Sequence, residues 1–261
     1  MGCRLTHVGG PTVLIEIDGW RILTDPTFDP PGRRYGFGLG TSSTKTAGPA
    51  LTTAEIGPVD VVLLSHDHHA DNLDDRGRDL LPSAGTVVTT IAGARRLAGS
   101  NVKGLRAGQS LDLAGPGRAP RGAPRPRLRV SATPCRHGPP LSGPLVGQVV
   151  GFALTLGDSA TVAVWMTGDT VWHRAVRRCA DRLDVDVLLL HLGSVQFPLT
   201  GGLRYSMDSA DATRLVRRSE PRVVVPVHYE GWSHFHEPAA RARAALPGAT
   251  WLVPGRPTSV S

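Results

Sequence analysis

Leu63-Leu64-Ser65-His66-Asp67-His68-His69-Ala70-Asp71-Asn72-Leu73-Asp74 decides how this chain is read. Three histidines and three carboxylates fall within residues 66–74, directly after the apolar run Val59-Asp60-Val61-Val62-Leu63-Leu64. A short β-branched run of this kind reads as a buried strand. Imidazole suits zinc and iron, and carboxylates suit harder ions such as manganese, so the mixture points to a metal. The expectation is a metal-binding loop at the carboxyl end of a buried strand.

Upstream, Leu5–Ile17 and Trp20–Thr24 are β-rich runs around the turn signal Asp18-Gly19, which predicts a hairpin ended by Asp25-Pro26. Residues 30–58, rich in Gly, Pro, Ser and Thr, read as a long surface loop of the kind that serves as a lid. Downstream, a short helix is expected over Leu73–Leu81, closed by Pro82. A strand over Gly85–Thr90 and a helix over Ile91–Leu97 follow, then a hairpin over Val102–Leu113 with its break at Gly108-Gln109-Ser110. Leu128–Thr133, Val149–Leu156, Ala160–Met166, Val185–Leu190, Val223–Val227 and Trp251–Val253 read as strands. Helical spacing covers Val171–Leu183, Ser209–Arg218 (entered through Asp208 as N-cap) and Pro238–Leu246. Both halves thus begin with hairpins and then alternate strands with helices. Such halves pack as two sheets with helices outside, in one domain spanning residues 1–261.

Composition narrows the class. Hydrophobic residues make up 40% and charged residues 20%, which is ordinary for a globular protein. No run approaches the 18 or so apolar residues of a membrane span, and Met1–Thr6 does not resemble a secretory signal. Cys3, Cys135 and Cys179 are odd in number and far apart, so no disulfide framework is implied and a cytoplasmic setting is expected. The net charge of +7 would suit an anionic small-molecule substrate or, less favoured, nucleic acid. Part of it lies in the proline-rich stretch 115–129, with Arg118, Arg121, Arg125, Arg127 and Arg129, which reads as a solvated loop.

Polar, metal-competent residues recur where strands end: the cluster at 66–72, then His137, Asp169 in Thr167-Gly168-Asp169-Thr170, and His228 in Pro226-Val227-His228-Tyr229. In this order and spacing they resemble the metallo-β-lactamase superfamily. With Asp25-Pro26 and Met207-Asp208 they are similar to its ascorbate-6-phosphate lactonase-like branch. The resemblance covers nearly the whole chain. It implies a four-layer αββα sandwich of two mixed sheets with helices on the outer faces. It also implies one or two divalent ions, zinc or manganese before iron, and hydrolysis by a metal-bound hydroxide. His137 resembles the third histidine of the first metal site, Asp169 the bridging aspartate, and His228 the histidine closing the second site. Asp71 resembles the aspartate beside the metal-bound water.

The first motif departs from the family's His-x-His-x-Asp-His, and three registers stay open. Aligning on Asp71-Asn72 makes Asp67 and His69 ligands. Aligning on Ser65-His66 makes His66 and His68 the pair, with one residue inserted. A looped-out backbone would pair His66 with His69. In the first of these Asn72 stands where a histidine is expected. Near His228, His234 is placed to bind substrate or donate a proton, so Asp71 and His234 are the catalytic candidates. The leading function is a metal-dependent hydrolase acting on a small lactone or a phosphorylated substrate, including a phosphodiester. The alternatives are a nucleic-acid-processing phosphodiesterase and a catalytically reduced, metal- or ligand-binding member of the fold.

Overall fold

The computed structural model describes residues 2–38, 40–115 and 122–260. Fifteen strands and seven α-helices are found among them. The first sheet begins with β1 (Cys3–Gly9), β2 (Thr12–Ile17) and β3 (Trp20–Thr24), an antiparallel meander that turns at Gly10 and at Asp18-Gly19. A short antiparallel pair, β4 (Arg34–Gly38) and β5 (Thr41–Thr44), and the one-turn helix α1 (Thr53–Ile56) follow. The stretch expected to be a structureless loop therefore carries its own hairpin, whose Gly36 and Gly38 hid its strand character.

The chain then adds β6 (Val61–Leu63), α2 (Asp75–Leu80), β7 (Thr86–Thr90), α3 (Ile91–Leu97) and β8 (Val102–Leu105), with β3, β6, β7 and β8 parallel. β9 (Ser110–Leu113) lies in the other sheet, beside β10 (Leu128–Pro134). The expected hairpin over 102–113 is thus the crossover between the sheets. Gly108-Gln109 makes a turn there, but β8 is already paired with β7 and β9 takes β10 instead.

The second sheet continues through α4 (Gly143–Val146), β11 (Val150–Leu156), β12 (Val162–Met166), α5 (Arg174–Ala180), β13 (Val185–His191), α6 (Ser209–Ser219) and β14 (Val223–Val227). After α7 (Ala239–Ala245), β15 (Thr258–Ser259) returns to pair with β1. Trp251–Val253, expected as the last strand, is irregular: Trp251 and Leu252 pack against the two cores, and the last pairing lies further on.

Sheet orders are β15-β1-β2-β3-β6-β7-β8 and β14-β13-β12-β11-β10-β9. Leu5, Ile15, Ile22 and Leu63 of the first face Val130, Phe152, Leu154, Met166 and Leu189 of the second in one buried core. The outer face of the second sheet buries Trp165, Leu188 and Leu190 under α5, α6 and α7, through Val176, Leu215 and Ala242. The first sheet's outer face buries Leu23, Val62, Leu64 and Val87 with Ile56 and Leu80 of α1 and α2. Four layers result, αββα, as the sequence predicts. β6, β10, β12 and β14 all run toward one edge of this sandwich, and the cluster at 66–72, His137, Asp169 and His228 follow their carboxyl ends. No helix among the described residues is long and apolar enough to cross a membrane.

Candidate metal centre

Asp25 fixes the loop that carries the cluster. Its backbone, at the end of β3 with φ 30°, sits in the left-handed region that a non-glycine residue enters at a cost of about 1 kcal/mol. Its Oδ1 accepts from the Ser65 amide at 2.6 Å, and its Oδ2 accepts from the Ser65 hydroxyl at 2.9 Å and from Asn72 Nδ2 at 3.1 Å. Asn72 thereby points to the loop's anchor. Burial pushes the Asp25 carboxyl up, against the lowering effect of His191 and of the Ser65 amide.

The structure brings the ring nitrogens of His66, His69 and His137 together; Asp67 and His68 are not in that group, although the His68 ring packs 4.4 Å from that of His69. His69 Nδ1 lies 3.0 Å from His66 Nε2 and 3.2 Å from His137 Nε2. Outer contacts set the rings: His137 Nδ1–H donates to the Tyr205 carbonyl at 2.6 Å, and His66 Nδ1 meets the Ser65 hydroxyl at 2.9 Å. His137 Nε2 is then a bare lone pair, and one His69 proton cannot serve both neighbours. Burial, then repulsion among the rings, holds His66 well below the usual histidine range and His69 down at about 3. Three neutral imidazoles converging on one point are a metal-ligand arrangement.

Asp67 turns outward to Arg96 of α3, whose Nε donates to Oδ2 at 2.8 Å while Nη2 donates to Oδ1. Burial opposes ionisation of Asp67, and the Arg96 guanidinium overcomes it and keeps the carboxyl well below its ordinary range. His68 Nε2–H donates to the Val146 carbonyl at 2.7 Å. Of the three open registers, the looped-out one describes this geometry.

Asp71, Asp169 and His228 form a second group. Gly168 lets the chain turn to present Asp169: its φ is 63°, and a Cβ there would stand 2.8 Å from the Val150 carbonyl oxygen. His228 also lies in the left-handed region, at φ 57°. Asp169 Oδ1 is 3.1 Å from His228 Nδ1, and Asp71 Oδ2 is 3.4 Å from His228 Nε2. Burial opposes charge on all three. Even so, their mutual attraction holds both carboxyls below the ordinary range and raises His228 to about 10. Both Asp169 oxygens, Asp71 Oδ1 and both His228 nitrogens are buried without an aligned hydrogen bond. Orphaned polar atoms at this density are costly. A divalent ion would satisfy them, so the residues present fit a metal in each group.

The β4–β5 hairpin covers this edge. Phe37 packs on His69, Phe197 and His234, with centroids 5.4, 5.5 and 5.1 Å away. A cavity of about 50 Å³ opens onto His69, Asp71 and His137 between Phe37, Val146, Val195, Phe197 and Tyr205. The aromatic and aliphatic wall and the Arg96 clasp carry no sequence signature, since each lies far along the chain from the cluster. Burial pushes the Cys135 thiol well up, and its Sγ–H donates to the Thr167 carbonyl at 3.1 Å.

Two facing sheets with metal-competent groups at their shared edge define an enzyme of the metallo-hydrolase class. The chain belongs to the beta-lactamase superfamily domain family, whose family model matches residues 20–229. It is 26% identical over 234 residues to a UPF0173 metal-dependent hydrolase of Carboxydothermus hydrogenoformans, covering 88% of this chain and 85% of that protein. Its fold is similar to that of a possible metal-dependent hydrolase from Veillonella parvula, with TM-score 0.80, 20% identity and 99% of both chains covered. It is similar also to that of an isothiocyanate hydrolase from Delia radicum gut bacteria, with TM-score 0.79, 19% identity and 98% of both chains covered. The fold is accordingly that of the metallo-β-lactamases.

Proposed function

We propose that this chain hydrolyses a small, uncharged carbonyl compound of the lactone or ester type, with one divalent ion in each side-chain group. The observation that carries the choice of substrate is the wall of the cavity. Phe37, Val146, Val195, Phe197 and Tyr205 line it, and no arginine or lysine is among the lining residues. A phosphodiester's charge would have only the two ions to meet it, with no cationic side chain on that wall to share it. The cavity, of about 50 Å³, admits only the reacting end of a substrate, and an apolar ester or lactone would lay part of its surface favourably on that wall.

Divalent ions, when bound, would activate water and polarise the attacked group. The chain's own residues do the rest. Asp71 lines the cavity with Oδ1 unpartnered, so it is placed to orient the attacking water and to accept its proton. Phe37 and Phe197 shield the site from bulk water. The basic balance gives little support to a nucleic-acid substrate. Arg125 is buried over Trp20, 3.7 Å from the ring centroid, and paired with Asp60 at 2.8 Å, while Arg127 pairs with Asp158. Arg118 and Arg121 lie outside the described residues. The test is turnover of lactones, carboxylic esters and phosphodiesters by metal-loaded and chelated enzyme. Chelator-sensitive lactone or ester hydrolysis is expected. Faster phosphodiester hydrolysis, or turnover indifferent to chelator, overturns the proposal.

A further inference from the structure

The first group offers three imidazoles, whereas the second offers two carboxylates and one imidazole. Asn72, next to Asp71, commits its Nδ2 to Asp25, and its Oδ1 is a neutral oxygen rather than a third carboxylate for the second group. We infer that His234 is the fourth protein donor of the second group, so that a loop residue beyond β14 completes the site that Asp71, Asp169 and His228 begin.

His234 Nε2 lies 3.0 Å from Asp71 Oδ2, on an oxygen that also faces His228 Nε2 at 3.4 Å. Donors held about 2.0–2.2 Å from one zinc-sized ion stand roughly 3–3.5 Å from each other, which is the spacing of both pairs. The His234 side chain is 2% exposed, its Nε2 reaches only the Asp71 carboxylate, and neither ring nitrogen makes an aligned hydrogen bond. A buried imidazole so poorly satisfied costs free energy unless something binds it. The ring is also held in place. Phe37 and Phe235 pack on it edgewise, with centroids 5.1 and 4.7 Å away, and Phe235 packs on His228 as well, at 4.8 Å. One aromatic side chain thus sets two histidines toward the same carboxylate.

This inference rests on the metal-dependent reading above, and its test reads ion binding rather than turnover. Full-length protein stripped with chelator is titrated with Co(II), as wild type, His234→Gln and His234→Cys. Bound ion is measured by equilibrium dialysis, and ring N–H protons of ligating histidines by their large paramagnetic NMR shifts. Wild type is expected to take two ions. His234→Gln should hold the second at least ~10–100-fold more weakly and lose one shifted ring proton. His234→Cys should bring a thiolate-to-cobalt charge-transfer band in the near ultraviolet. Wild type that takes fewer than two ions overturns the two-site reading together with this inference. Two ions of unchanged affinity in His234→Gln, or no charge-transfer band in a loaded His234→Cys, overturns this inference alone.

Discussion

Arg96 clasps Asp67 through two guanidinium hydrogen bonds, with Nε 2.8 Å from Oδ2, and so decides which side chains of the cluster face the sheet edge. With Asp67 pulled toward α3, His66 on one side turns inward and His68 on the other reaches the Val146 carbonyl. The loop must then bulge before His69 can join His66.

Arg96→Ala leaves the Asp67 carboxylate buried without its partner. Because the Arg96 side chain is 48% exposed, the loss is discounted from that of a fully buried pair to about 1–2 kcal/mol. Denaturant unfolding of the variant checks this. A second consequence separates it from a surface pair: the ion at His66, His69 and His137 should bind more weakly. Unchanged stability together with unchanged ion affinity contradicts the clasp.

His69→Ala and His68→Ala are neighbours in sequence with opposite expected outcomes. Removing His69 takes one of three converging imidazoles, so hydrolysis should fall by more than the ~10–100-fold typical of losing a residue that only supports a ligand. Removing His68 loses a hydrogen bond to Val146, and activity should stay within about tenfold, with ion content unchanged. Elemental analysis and kcat/KM on both variants check the pair. The reverse ranking contradicts the assignment.

Lys45, just beyond β5, tethers the covering hairpin to the start of α2. Its Nζ donates to Asp74 Oδ2 at 2.7 Å, with side chains 4% and 0% exposed. Asp74 also caps α2 through Gly77 and holds the Phe28 and Asp29 amides. Lys45→Met should destabilise by about 2–3 kcal/mol, because the buried carboxylate loses its counter-charge while keeping the Phe28, Asp29 and Gly77 amides. A loss under about 1 kcal/mol by urea unfolding contradicts this.

His173 caps α5, its Nδ1 accepting from the Ala175 amide at 3.4 Å. Burial, then Arg136 and Arg177, lowers its pKa from 6.5 to about 4. Between those values the unfolded chain binds a proton that the folded one refuses. This contribution is therefore complete above pH 6.5 and lost as pH falls toward 4. Asn at this position keeps an acceptor that does not titrate. His173→Asn should lose less stability than wild type between pH 7.5 and 5, by an amount on the order of 1 kcal/mol for a partly exposed cap. Equal losses contradict the assignment.

The strand-end rhythm made the sandwich legible, since β6, β12 and β14 are uninterrupted apolar runs, and β13 is one but for Asp186 and its last residue His191, so that period and flanks leave little choice. Asp208 as the cap of α6 was legible for the same local reason. What depended on distant partners was not. The choice among His66, Asp67, His68 and His69 is made by Arg96 and Val146, 29 and 78 residues away from their partners. The β4–β5 hairpin was hidden by its glycines, and the crossover at Gly108-Gln109 by a turn that looks the same whether it joins one sheet or two.

The central claim is that His66, His69 and His137 share one ion and that Asp71, Asp169 and His228 hold a second. Anomalous difference density from crystals grown with Zn(II) tests it most directly. The account predicts two peaks, one in contact with His66 Nε2, His69 Nδ1 and His137 Nε2, the other with Asp71, Asp169 and His228. A peak on Asp67 or His68, or none at this edge of the sandwich, would contradict it.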